Sequence, residues 1–153
     1  MAKFTHLMWH CADTPEGRWF DGEDIKQWHL KERGWSRVGY SAIFLLNGHI
    51  EILIPFDKDD EIDSWEISNG AKGWNGRTRH VCYIGGGKGI DTRTPEQIAS
   101  MQTFAKVHAM LWPNVKNIGH NQVSKKYCPS YDVPAWCKKI GLPSTCIDFN
   151  QYT

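Results

Sequence analysis

The sequence predicts an α/β (α+β) fold in a single domain spanning residues 1–153, with a central mixed β-sheet of about five or six strands flanked by about three helices. Three observations predict it. Strand-like and helix-like segments alternate along the chain, the pattern that builds parallel strand pairs through crossover helices. A hairpin signal, Asn47-Gly48, is embedded in that alternation and makes the sheet mixed rather than purely parallel. The length of 153 residues lets one core bury roughly 70 % of the unfolded surface, and no repeat or long linker divides the chain.

In order along the chain, residues 5–10 form a candidate first strand, and the turn-rich residues 11–17 leave it as a loop. Over residues 21–33, Ile25, Trp28, His29 and Glu32 recur at helical spacing, with Asp21 as N-cap and Gly34 as the stop. Residues 39–46 and 49–54 are β-rich, and the Asn47-Gly48 pair between them favours a tight type I′ turn. Residues 57–79 are polar and irregular, and residues 80–84 read as a buried strand running into a glycine cluster at 85–89. Thr94-Pro95-Glu96-Gln97 supplies an N-cap, a proline at the first helical position and a capping-box glutamine, so a helix should run to about Leu111, with Pro113 beyond its end. Residues 114–119 can form one more strand, and Ser130 or Asp132 can cap a short last helix through Trp136 to Lys139.

Composition excludes several classes of function. With 18 Lys+Arg against 17 Asp+Glu, the formal charge of +1 provides no strong field for non-specific nucleic-acid binding and leaves open only a local basic patch. At 41 % hydrophobic and 23 % charged the chain is neither disordered nor membrane-like, and no stretch approaches the roughly 20 apolar residues of a membrane span. The first ten residues lack the apolar core and small-residue cleavage site of a signal peptide, so a cytoplasmic product is expected. Five cysteines, an odd number without a secretory signal, argue against a disulfide framework and leave at least one thiol free for other work.

The cluster Gly85-Gly86-Gly87-Lys88-Gly89 invites comparison with a phosphate-binding loop, but Cys82 and Gly89 stand where that motif needs its first glycine and its Ser or Thr. A flexible connection between strand and helix is the better reading. More informative is the pair His120 and Cys128. A histidine at a strand end and a cysteine eight residues later can converge on one metal ion if a third ligand comes from elsewhere, and His10, at the end of the first strand, is the candidate. Zinc suits a mixed imidazole and thiolate set, and catalytic zinc keeps three protein ligands and one open position. The competing reading is a structural histidine and a buried cysteine.

Taken together, Trp9-His10-Cys11, Trp28-His29, Gly34-Trp35, Val38-Gly39-Tyr40, Asn47-Gly48, Ala71-Lys72-Gly73-Trp74-Asn75, Gly85-Gly86, Asp91 through Gln97, Gly119-His120 and Lys126 through Asp132 occur in one characteristic order. This set resembles the phage lysozyme type of N-acetylmuramoyl-L-alanine amidase, a family that shares its fold with peptidoglycan recognition proteins. The resemblance covers about residues 5–140. It implies a single zinc amidase domain whose Zn2+ ligands match His10, His120 and Cys128, with Tyr40 and Lys126 at the catalytic positions. The implied substrate is peptidoglycan, cut at the amide between N-acetylmuramic acid and L-alanine of the stem peptide. No nucleic-acid partner, no membrane insertion and a monomeric state are expected.

The residue types suit that chemistry. Zinc polarises a carbonyl and acidifies water, a cationic Lys126 can stabilise charge growing on the carbonyl oxygen, and Tyr40 can orient the water or help move its proton. Cys128 would be a ligand, not a nucleophile. The Ala71-Lys72-Gly73-Trp74-Asn75 segment resembles a groove wall, where Trp74 could offer a flat face to substrate and Lys72 or Asn75 a hydrogen bond; the alternative is a loop pinned by a buried tryptophan. One departure stands out: many relatives place a histidine just before this run, where this chain has Gly70. His29, His80 and His108 read as structural, and Cys137 and Cys146 carry no implied role.

Two rival functions follow from the same residues. A non-catalytic peptidoglycan-binding module shares the fold, but such modules commonly lack the cysteine ligand that Cys128 supplies here. A cysteine-nucleophile hydrolase would use Cys11 or Cys82, both of which sit in or beside apolar runs that favour buried, inert thiols. The expected biology is a phage or prophage endolysin held in the cytoplasm of the producing cell and acting on the wall in the periplasm after membrane permeabilisation. A secreted antibacterial amidase effector is the alternative.

Overall fold

The computed structural model describes residues 2–153, so Met1 of the N-terminal stretch lies outside the described residues. Five strands form one mixed sheet in the order β4-β3-β6-β2-β7: β2 (His6–Cys11), β3 (Ala42–Phe44), β4 (Ile50–Ile52), β6 (Thr78–Tyr83) and β7 (Lys116–Gly119). All neighbours are parallel except the β3–β4 hairpin. A separate two-stranded ribbon pairs β1 (Ala2–Lys3) with β5 (Glu61–Ile62), the latter inside the stretch 57–79 expected to be irregular. The expected mixed sheet with three flanking helices is therefore present, and no helix among the described residues is long and apolar enough to cross a membrane.

Alternation along the central strands divides the core. Leu7, Trp9 and Cys11 of β2 and Val81 and Tyr83 of β6 pack towards α2 (Pro95–Leu111) and α3 (Val133–Lys139), where Met101, Ala105, Val133 and Trp136 meet them. Ile43, Cys82 and Ile84 face the other way, onto Ile25 of α1 (Gly22–Lys26). Trp9 is fully buried, stacks on Phe44 and finds a partner for its indole N–H in Asn117 Oδ1 at 2.8 Å. Met8 and His10 share the face opposite Trp9, so the strand that anchors the core also delivers His10 to the second face.

The capping signals hold. Asp21 accepts from the backbone of Glu23 and Asp24, Thr94 and Gln97 form a reciprocal capping box, and Asp132 rather than Ser130 caps α3. Two local expectations differ. The first helix is α-helical only to Lys26 and continues to Glu32 as π-helical turns, in which Arg33 N–H reaches back to Trp28 C=O. The hairpin turn is not type I′, because Asn47 keeps a negative φ and only Gly48 is left-handed, at φ +85°. Gly48 N–H donates to Leu45 C=O and Leu45 N–H to His49 C=O, a type I turn closed by a glycine bulge. A Cβ at Gly48 would lie 2.7 Å from the Glu96 carbonyl oxygen, so α2 itself requires glycine there.

Candidate metal centre and active site

The register of two neighbouring parallel strands builds the site. Trp9 of β2 pairs with Gly119 of β7, so the next residues, His10 and His120, emerge side by side at the carboxyl edge of the sheet with ring centroids 4.7 Å apart. Open parallel sheets place ligands at this edge. Beyond a short helical turn (His120–Gln122), the loop returns with Lys126 and Cys128. Cys128 Sγ lies 3.7 Å from His10 Nδ1 and accepts from Cys11 N–H at 3.2 Å. One donor atom each from His10, His120 and Cys128 fall within 4.8 Å of one another.

This donor set fits a zinc ion. A tetrahedral ion with bonds of ~2.0 Å to nitrogen and ~2.3 Å to sulfur separates those two ligands by about 3.5 Å, close to the His10–Cys128 spacing. His120 Nδ1 is buried with no hydrogen-bond partner, a cost that a cation beside it removes. Burial, with the charge of Lys126 added, pushes His120 down to about 4. Burial and the neighbouring His80, His120 and Lys126 push His10 well below the ordinary imidazole value, so both rings are neutral and have a lone pair to give. A hydrogen bond with the Cys11 thiol, together with burial, pushes the Cys128 thiol well up. A divalent cation would convert it to the thiolate.

A cleft of about 350 Å³ opens over these ligands, lined by Asp13, Arg33, Tyr40, His120, Lys126 and Cys128. It continues past His120 and Lys126 into a second groove of about 500 Å³ bounded by Trp35, Lys72 and Asn75. Tyr40 sits just before β3 rather than within a strand, with its ring 5.1 Å from that of His10. Burial, reinforced by nearby thiols, pushes its phenol well above the usual value, so Tyr40 stays protonated at neutral pH. The π-helical turns give His29 a role in placing it: His29 is buried between Trp35 and Tyr40 and accepts from Gly39 N–H at 2.9 Å. Lys126 is exposed on the rim shared by both grooves.

The structure thus brings together His10, His120, Cys128, Tyr40 and Lys126, with Lys72 and Asn75 on the groove wall. It does not bring Trp74 into that lining. The Trp74 ring is held edge-on by His6 and Tyr152 at 5.1 Å each, and Arg77 covers one face at 4.2 Å. Sequence reasoning also read His80 as structural only, whereas it hydrogen-bonds His10 directly at 2.8 Å. The two proposed nucleophiles differ in setting: burial pushes the Cys82 thiol well up, while Cys11 belongs to the hydrogen-bonded pair with Cys128. A larger apolar groove of about 930 Å³ along α2 gathers no comparable set of donors, since its one histidine, His108, already faces Arg79.

No family model matches the chain. The endolysin of Escherichia phage T7 is 31% identical over 137 residues, covering 87% of this chain and 85% of the relative. Among solved structures, the N-acetylmuramoyl-L-alanine amidase LysC from Clostridium intestinale superposes with a TM-score of 0.72 at 20% identity, covering 93% of this chain and 88% of that one. A point mutant of Drosophila PGRP-LB in complex with tracheal cytotoxin gives 0.71 at 18% identity, covering 93% of this chain and 84% of that one. The fold is therefore that of the amidase and peptidoglycan recognition protein class. Within that class, the chain belongs to the phage endolysin family.

Proposed function

We propose that this endolysin is a zinc-dependent N-acetylmuramoyl-L-alanine amidase that cleaves the amide joining N-acetylmuramic acid to L-alanine of the stem peptide. The observation that carries the proposal is the convergence of His10, His120 and Cys128 beneath a cleft whose rim holds Tyr40 and Lys126. Zinc held by these three would act as a Lewis acid on the amide carbonyl and lower the pKa of water at its open position towards ~7.

The protein's own groups account for the remainder. Lys126 brings a flexible cation to the cleft mouth, where it stabilises the oxygen that gains charge as the carbonyl becomes tetrahedral. Tyr40, kept protonated, donates a hydrogen bond and accepts one, so it orients water and relays a proton towards the leaving L-alanine nitrogen without acting as a base. Arg33, Lys72 and Lys126 outnumber Asp13 along the two grooves and favour an anionic peptide. Asn75 and Lys72 line the same groove and offer hydrogen bonds to that peptide, while Trp74 packs beside Ala71 behind them. A structural neighbour holding a muropeptide, tracheal cytotoxin, supports peptidoglycan as the substrate class. The endolysin relatives support action on the wall from inside the host once the membrane is breached.

The test is release of free N-terminal L-alanine from purified peptidoglycan. Zinc-loaded protein is expected to release it, chelation to stop it and zinc to restore it. Zinc-loaded protein that binds peptidoglycan but releases no L-alanine would show a binding module instead. Activity that survives chelation would point to a thiol enzyme.

A further inference from the structure

His80 is fully buried on β6, two register positions before the pair His10–Cys82, on the same face of the sheet as His10. Its Nδ1 lies 2.8 Å from His10 Nε2, and its Nε2 lies 2.9 Å from Asn75 Oδ1. The proton positions in this chain follow by elimination. Asn75 Oδ1 also accepts from Ala71 N–H at 3.0 Å, so it is the amide oxygen and His80 Nε2 must donate to it. A second proton on Nδ1 would make His80 a cation, and no carboxylate in this chain of contacts faces it in its buried position. His80 Nδ1 therefore accepts, His10 Nε2 carries the proton between the rings, and His10 Nδ1 is left bare, facing Cys128.

Gly70 makes this arrangement possible. A Cβ there would lie 2.4 Å from His80 Cγ and 2.5 Å from His80 Nδ1, so the imidazole occupies the space of any side chain at residue 70.

We propose that His80 is the positioning residue for the ligand His10, fixing its tautomer and ring plane through the chain Asn75–His80–His10 before metal arrives, and that Gly70 makes room for it. The proposal rests on the zinc reading of the His10, His120 and Cys128 site. Outer partners of this kind typically change metal affinity by ~10–100-fold, because they set both the free lone pair and the basicity of the ligand.

Two measurements test it. In the metal-free protein, long-range nitrogen–proton NMR of the imidazoles should show His10 and His80 both protonated on Nε2; a His10 protonated on Nδ1 overturns the proposal whether or not zinc ever binds. Zinc dissociation constants, measured by competition with a chromophoric chelator, should rise ~10–100-fold for His80→Leu. They should stay within a few-fold of wild type for His80→Asn, whose Oδ1 takes the place of Nδ1. Wild-type affinity in His80→Leu refutes positioning. Equal losses in both variants, in step with their thermal midpoints, show a packing role instead. Should His80→Leu fail to fold, the wild-type tautomers and the His80→Asn affinity still decide. A wild-type protein that binds no zinc would refute the proposed function, a result separate from the metal-free tautomer.

Discussion

Nδ1 of His10 and Sγ of Cys128 lie 3.7 Å apart although 118 residues separate them in the chain. The first is fixed by a central strand and the second by the loop after β7, held by the backbone N–H of Cys11. Removing the sulfur removes one of three donors while leaving both strands in place. Cys128→Ser is therefore expected to bind zinc more weakly by more than the ~10–100-fold typical of losing an outer-shell partner, and to lose turnover with it. Metal analysis after dialysis against a weak chelator checks this. Full zinc occupancy in the variant would remove Cys128 from the ligand set.

Tyr40 and Lys126 touch the cleft without belonging to the donor set, so metal binding and catalysis should separate on substitution. Lys126→Ala is expected to keep zinc and lose ~10²–10³-fold in kcat, the usual cost of removing one group that stabilises a developing oxyanion. Tyr40→Phe keeps the ring beside His10 and removes the hydroxyl, with an expected loss of ~10²–10⁴-fold in kcat and little change in KM. Steady-state kinetics on a soluble muropeptide, alongside zinc stoichiometry, measures both. Loss of metal in either variant would give that residue a structural role.

Much of this arrangement was legible in the sequence because it is local. Thr94 and Gln97 announce α2 within four residues, and Asp132 does the same for α3. His120 and Cys128 share one loop. What was not legible depends on register between distant strands. His80 joins the site because Met8 pairs with His80, which sets its ring beside that of His10, and no spacing in the chain encodes that pairing. Trp74 turns away from the groove because His6 and the C-terminal Tyr152 clasp it, contacts that span 68 and 78 residues. The type I turn at the hairpin was hidden because Asn47-Gly48 suits two turn types, and the approach of Glu96 to Gly48 is a tertiary contact.

The histidines make metal-free stability depend on acid. Burial pushes His29 and His120 down to about 4, His80 down to about 3, and His10 and His108 well below the ordinary value. Each folded-state value is depressed, so the unfolded chain takes up protons first. Stability is complete above the unfolded value near ~6.5 and falls as pH drops from there towards the folded values. Each histidine protonated only in the unfolded chain shifts the equilibrium about tenfold per pH unit. Urea midpoints of metal-free protein should fall steadily from pH 7.5 to 5. His108→Gln, whose carbonyl can accept from Arg79, should flatten that slope by about one proton. A profile unchanged between pH 7 and 5 would contradict the assignment of these rings as neutral and buried.

Next to His80 on β6 but on the opposite face of the strand, Arg79 carries a purely structural prediction. Its guanidinium lies 4.3 Å, 3.8 Å and 4.5 Å from the ring centroids of Phe4, Phe56 and Trp112, and its Nη1 lies 3.0 Å from His108 Nε2. Arg79 Nη2 stands 3.8 Å from Glu66 Oε2, with both side chains almost fully buried. The Glu66 carboxylate also accepts from the backbone of Asp57 and Asp63, so it ties the β5 region to β6. Burial lowers Arg79 to about 10, which still leaves it charged at neutral pH. Glu66→Gln strips that cation of its counter-charge, and breaking a buried pair in this way costs about 3–5 kcal/mol. Arg79→Met keeps an apolar chain between the rings, and Glu66 keeps its two backbone donors, so the loss should be smaller. Because the greater part of the Glu66→Gln cost is an unpaired charge, the double variant should be more stable than the sum of the two single losses implies. Urea denaturation of the four proteins closes the cycle, and strictly additive losses would show that Glu66 and Arg79 act independently.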